Sequence, residues 1–186
     1  MVQLSLKRKM KVLLVMDRLQ DDDFGIPLCG HLGLKLAHQL LEESIPFGRL
    51  IHDQTVAEAI GHPYLKRIGV ETMFTGDESY YQDLLLGNRQ TLSTDEDYYK
   101  TVQRYAKHLL AVHSKCTKLH TIVLFGRSTQ RLFSDVLTRL EEENEHVATT
   151  FQNMTILKMP AVSRMIRDER IHQIRQVVIE LAPSHV

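Results

Sequence analysis

Cysteine is scarce in this chain of 186 residues, which holds two, Cys29 and Cys116. They are too few for a disulfide framework and too far apart for a CxxC redox or metal pair. An iron–sulfur cluster takes four thiolates and is excluded on the same count. The chain therefore reads as intracellular and reduced, and a cytoplasmic location is expected. Net charge is missing too: 23 basic residues balance 23 acidic ones. No bulk field draws in a polyanion, so any nucleic-acid surface has to be a weak, local patch. Long apolar runs are absent, and no stretch approaches the roughly 18 residues of a membrane span. The basic cluster Lys7-Arg8-Lys9 leads into a strand cut short by Asp17 and Arg18, not into the apolar core of a signal peptide. Neither leader nor membrane anchor is expected, and residues 1–9 read as a basic N-terminal extension.

Several common chemistries lack their motifs. There is no Walker sequence and no GxSxG elbow. Cys29-x-His31 is too short a signature for a metal site. His52-Asp53, a pairing used by metal-dependent phosphohydrolases, has no second histidine–aspartate set at fitting positions. No metal and no cofactor are expected. What is present is length for one domain spanning 1–186, with 43% hydrophobic residues to fill its core.

The stretch that organises the chain is 11–41, KVLLVMDRLQDDDFGIPLCGHLGLKLAHQLL. Residues 12–16 are too short for a helix and rich in branched side chains, so they read as a strand buried on both faces, the usual state in a parallel sheet. Asp17 sits at its carboxyl end, where open α/β sheets bind ligands. Leu32, Leu36, Ala37, Leu40 and Leu41 then recur at helical spacing over 30–44. The N–H groups at 30–33 can hold a phosphate or a base carbonyl; alternatively the glycines merely permit a tight turn. Pro46 and Gly48 end this element, and 53–60 and 63–68 read as two short helices.

A second strand is expected at 70–75, followed by a polar stretch over 76–92. Helix 93–113 opens on a capping box, Ser93 with Glu96. Its stripe of Tyr98, Val102, Tyr105, Leu109 and Val112 suits a core face better than a base-stacking platform. A third strand at 121–125 turns through Gly126-Arg127-Ser128 into a helix reaching about 144, with Glu141, Glu142, Glu143 and Glu145 as a solvated end. A fourth strand at 154–159 leads through 160–168 to a last helix carrying Ile171, Ile174, Val178 and Leu181 on one face. Short apolar runs alternating with helical stripes predict a single three-layer α/β/α domain, with a central, mostly parallel sheet of about four strands and 12–16 away from its edges.

The motif order resembles the uracil-DNA glycosylase superfamily, above all its microbial families. There, a strand ending near an acid is followed by an acidic stretch and by Gly-x-Pro-Phe-x-Gly-x-x-Gly opening a helix. Here Asp17 stands at the acid, and Gly25, Pro27, Gly30 and Gly33 match the second motif, with Leu28 in place of phenylalanine. Gly87-Asn88-Arg89 matches a later loop, with Asn88 itself better read as a turn residue. The strand and turn through Gly126 match a structural segment. Anchored on Ser163 and Arg167-Asp168, the family's His-Pro-Ser motif falls at 161–163, so that Ala161 replaces histidine and Val162 replaces proline.

The resemblance implies a base pocket around Gly25, Pro27, Leu28, Gly30, Asp77 and Ser163, with Asp17 positioning water. Excision needs a flipped base held by stacking and edge hydrogen bonds, and a donor to the developing anion. Losing one such donor commonly costs on the order of a hundredfold to a thousandfold in rate. With the phenylalanine, the base-reading amide and the histidine all replaced, little or no uracil excision is expected. The implied function is a catalytically impaired, DNA- or protein-binding component of DNA replication or repair. In it Arg164 and Arg167 would contact phosphates and Met165 would press on bases, unless these arginines only cap the last helix. The alternatives are an active glycosylase of altered base choice, using Asp17 with Asp77, Ser163 or Arg164, and, more weakly, a nucleotide-binding α/β protein.

Overall fold

Residues 12–16 carry no polar side chain, so a strand made from them has to be covered on both faces. A computed structural model, which describes residues 6–165 and 170–181, places them inside a four-stranded sheet. The strands β1 (Val12–Met16), β2 (Ile68–Thr72), β3 (Thr121–Phe125) and β4 (Thr155–Met159) are all parallel, in the order β2-β1-β3-β4. Val12, Leu14 and Met16 point into one core and Leu13 and Val15 into the other, the two-residue alternation of a pleated strand.

Between β1 and β2 run α1 (His31–Leu41), α2 (Phe47–His52), α3 (Gln54–Ala59) and a 3₁₀ turn at Pro63–Arg67. Leu36, Ala37, Phe47, Leu50 and Leu65 cover the Val12 face. Next come α4 (Tyr81–Leu86), α5 (Arg89–Leu92) and α6 (Glu96–Lys115); after β3 come α7 (Arg127–Glu143) and α8 (Glu145–Gln152). These cover the Leu13 face with Leu84, Tyr105, Leu109, Phe133 and Phe151. After β4, α9 (Val162–Met165) and α10 (Ile171–Leu181) return to the first face. Parallel crossovers are right-handed, so helices change face when the chain reverses its direction of travel across the sheet. That reversal occurs at β2. The result is the expected single three-layer α/β/α domain, each fully buried Leu or Phe contributing about 1.5–3 kcal/mol.

Local details depart from the sequence reading. β2 begins at Ile68 and ends at Thr72, because Met73 and Phe74 already bend to donate their N–H groups to the Asp17 carbonyl, at 3.2 and 2.9 Å. Pro46 does not simply end an element. It is the N-cap of α2. α6 is capped by Asp95, whose carboxylate accepts from the Tyr98 N–H at 3.0 Å, while Ser93 bonds the Gln90 carbonyl instead. The acidic run at 141–143 is exposed, but Asn144 caps a further helix, α8, that the sequence reading missed. The Tyr98, Val102, Tyr105, Leu109 and Val112 stripe is buried and forms core, so it offers no stacking platform. No helix among the described residues is long and apolar enough to cross a membrane.

Candidate functional site

The connections from β1 and β3 leave the sheet towards opposite faces, α1 on one and α7 on the other. Between two such neighbours the carboxyl ends open into a crevice, the position at which α/β sheets bind ligands. A pocket of about 210 Å³ lies there, lined among others by Asp17, Gln20, Tyr81, Phe125, Ala161 and Ser163. Asp17 reaches it as the first residue beyond β1, and Phe125 as the last of β3. Ala161 and Ser163 arrive with the turn after β4 and with α9. Arg18 also lines the pocket and crosses Gly76, where a Cβ would lie 2.8 Å from its Nη1.

Tyr81 donates its hydroxyl to Oδ2 of Asp17. Oδ1 and the Ser128 hydroxyl are both buried, and among the described residues neither makes a hydrogen bond of full geometry, although Ser128 lies close enough to act on the Asp17 carboxyl. Burial raises the Asp17 carboxyl above its ordinary value; the Tyr81 and Ser128 hydroxyls and the Arg18 charge act in the opposite direction, and Glu78 adds to the rise. Burial, followed by the Asp17 contact, raises the Tyr81 phenol as well. Burial works against the charge of Glu78, yet amide hydrogen bonds, including those from Thr75 at 2.7 Å and Gly76 at 2.8 Å, hold its carboxyl below the usual value. Of these two carboxylates, Asp17 is the one that lines the pocket and the one whose charge burial opposes on balance.

The glycine turn before α1 has a different role from the one suggested by its open N–H groups. Asp23 is buried and accepts from Gln20 N–H at 2.8 Å and Gly30 N–H at 2.9 Å, while Asp22 accepts from His31 N–H at 2.6 Å. The anion site at 30–33 is thus filled by the chain's own acids. A Cβ at Gly30 would sit 2.3 Å from the Asp22 carboxyl carbon. Gly33 and Gly48 are close-packing positions: their Cβ atoms would stand 1.7 Å from the Leu28 carbonyl oxygen and 1.9 Å from that of Pro27. Pro27 and Leu28 are wedged between α1 and α2, with Leu28 fully buried in the core, so neither lines the pocket. Gly25 lies on the exposed loop tip beside Phe24, which is 90% exposed. Asp77 is exposed on the 75–78 turn and is not among the pocket residues.

A larger cavity of about 560 Å³ adjoins the first and shares Ala161 with it. Arg127 from the start of α7, Arg164 from α9 and Arg170 just before α10 stand on its wall. Gln130 ties the strand ends together beneath it, donating to the Met159 carbonyl at 2.9 Å and the Leu124 carbonyl at 3.3 Å. Gly87-Asn88-Arg89 is structural: Arg131 caps the end of α4 at the Leu84 carbonyl, Asn88 caps α5, and Arg89 pairs with Asp135.

Of the sequence-predicted site residues, the fold brings Asp17, Ser163 and Arg164 to the walls of these two recesses, whereas Gly25, Pro27, Leu28, Gly30 and Asp77 line neither. Arg167 and the Met165 side chain lie outside the described residues. Sequence reasoning missed Tyr81, Phe125, Arg127 and Arg170 as pocket residues. The position of Phe125 and Arg127 at the carboxyl end of a strand was the available signal. Among the described residues, no three His, Cys, Asp or Glu side chains gather as a metal site. No family model, curated protein or solved structure matches the chain.

Proposed function

We propose that this chain is a uracil-DNA glycosylase-like protein of impaired catalytic power that serves as a DNA-binding component of replication or repair. The observation that carries this reading is the pairing of two adjoining recesses at the carboxyl ends of β1, β3 and β4. The smaller is lined by the carboxylate residue Asp17 together with Tyr81 and Phe125, a size and chemistry that suit a base edge. The larger is lined by Arg127, Arg164 and Arg170, cations of the kind that contact phosphates. Impaired catalysis follows from Ala161, whose methyl group lines the pocket and donates nothing to a developing anion, and from Leu28, whose side chain is spent in the core.

The test combines a glycosylase assay with binding titrations across salt on single- and double-stranded DNA. The reading expects negligible uracil release and weak, salt-sensitive binding, with Arg164→Ala reducing the salt slope by about one unit. Robust excision abolished by Asp17→Asn would replace it with an active glycosylase of altered base choice. Absence of DNA binding even at low salt would leave a protein partner as the better account.

A further inference from the structure

We propose that the cavity between α7, α9 and α10 is a binding site for a terminal phosphate or pyrophosphate group. Three arginines, Arg127, Arg164 and Arg170, line one recess of about 560 Å³. That volume falls within the roughly 300–1,000 Å³ of small-ligand sites. Among the described residues no acidic side chain lines it, and none of the three arginines has an ion pair or side-chain hydrogen bond. The chain does not lack acids, since it carries 23. Elsewhere they are used: on the same helical layer Arg89 pairs with Asp135, and Arg139 with Glu142 and Glu143. Grouping like charges around one recess is unfavourable, and an anionic ligand offsets that cost.

The charge count selects the ligand. A phosphodiester brings one negative charge, whereas a phosphate monoester brings about 1.5 to 2 and pyrophosphate more, with oxygens that guanidinium forks meet in pairs. Three arginines match the second kind. The group can belong to a free phosphorylated small molecule or to the 5′ end of a nucleic-acid strand. The second source deepens the DNA-binding reading above and rests on it; the first does not.

The experiment is equilibrium binding of inorganic pyrophosphate, and of one short single-stranded oligonucleotide with and without a 5′ phosphate, to the whole chain. Wild type, Arg127→Gln, Arg170→Gln and the double variant are compared, both substituted arginines being exposed and the unliganded melting of each variant checked first. Pyrophosphate is expected to bind wild type, with each single variant about tenfold or more weaker, as the loss of charge-assisted hydrogen bonds implies. A preference of similar size for the 5′-phosphorylated strand assigns the nucleic-acid source, and pyrophosphate binding without that preference assigns the small molecule. No pyrophosphate binding at low salt, or binding unchanged in the double variant, overturns the proposal. DNA binding without either phosphate effect overturns this inference and leaves the DNA-binding reading standing; pyrophosphate binding without DNA affinity does the reverse.

Discussion

Oε2 of Glu71 on β2 meets Nε2 of His108 on α6 at 2.6 Å, with both side chains buried in the core. The other carboxylate oxygen accepts the Tyr105 hydroxyl. A polar group in an apolar core is tolerated only while its partners are present. His108→Leu is therefore expected to cost about 3–5 kcal/mol, because it strands the carboxylate. Replacing all three as Glu71→Leu, Tyr105→Phe and His108→Leu should recover most of that loss. Urea denaturation of the single and triple variants checks it. A triple variant no more stable than His108→Leu would show that the cluster contributes net stability.

Asp17 supplies a second prediction, with its sign fixed by linkage. Its carboxyl is raised in the fold, so the folded chain holds the proton more tightly than the unfolded one. Ionised Asp17 thus subtracts stability, fully so above the folded pKa, and the penalty disappears as pH falls to the unfolded value. Asp17→Asn should melt higher than wild type at neutral pH, with the gap closing in acid. Tyr81→Phe, which removes the hydroxyl donor to Asp17, should destabilise by about 1–3 kcal/mol.

At Gly33 a methyl group would meet the Leu28 carbonyl oxygen at 1.7 Å, and backbone cannot step aside as a flexible side chain can. Gly33→Ala is expected to cost about 3 kcal/mol or more. Gly25→Ala meets nothing within 4 Å, and its penalty comes from its positive φ of 85° alone. It should be the milder of the two, a ranking that thermal melting can measure directly.

Lys7 donates its ammonium to the carbonyls of Ile51 at 2.6 Å and Ile68 at 3.2 Å, and burial lowers its pKa from 10.5 to about 8. Between these values the unfolded chain binds the proton and the folded chain does not, so Lys7's contribution to stability rises with pH across that window. Denaturation at about pH 7 and about pH 9.5 should show this rise in wild type relative to Lys7→Met. A constant difference between the two proteins would rule it out.

The sequence by itself determined the layers. An uninterrupted apolar run such as 12–16 has no polar face to show to water, and the 3.6-residue stripe from Tyr98 to Val112 can bury only as a helix, so both were legible without a partner in view. Strand alternation with helices then implied a parallel sheet, and Asp17 at a carboxyl end marked the side on which to look. Tertiary structure decided what each polar residue does there. Asp22 and Asp23 read as an acidic stretch until the turn folds back and spends them on the Gly30 and His31 amides. Gly33 and Gly48 read as a phosphate turn and a helix stop until α1 and α2 close on Pro27 and Leu28. Tyr81, Phe125 with Arg127, and Arg170 come from three separate segments, and the strand order β2-β1-β3-β4 brings them beside Asp17 and Arg164. Periodicity encodes which face a residue buries, a local property; which strand ends become neighbours depends on the packing of the whole chain, and no short stretch carries that information.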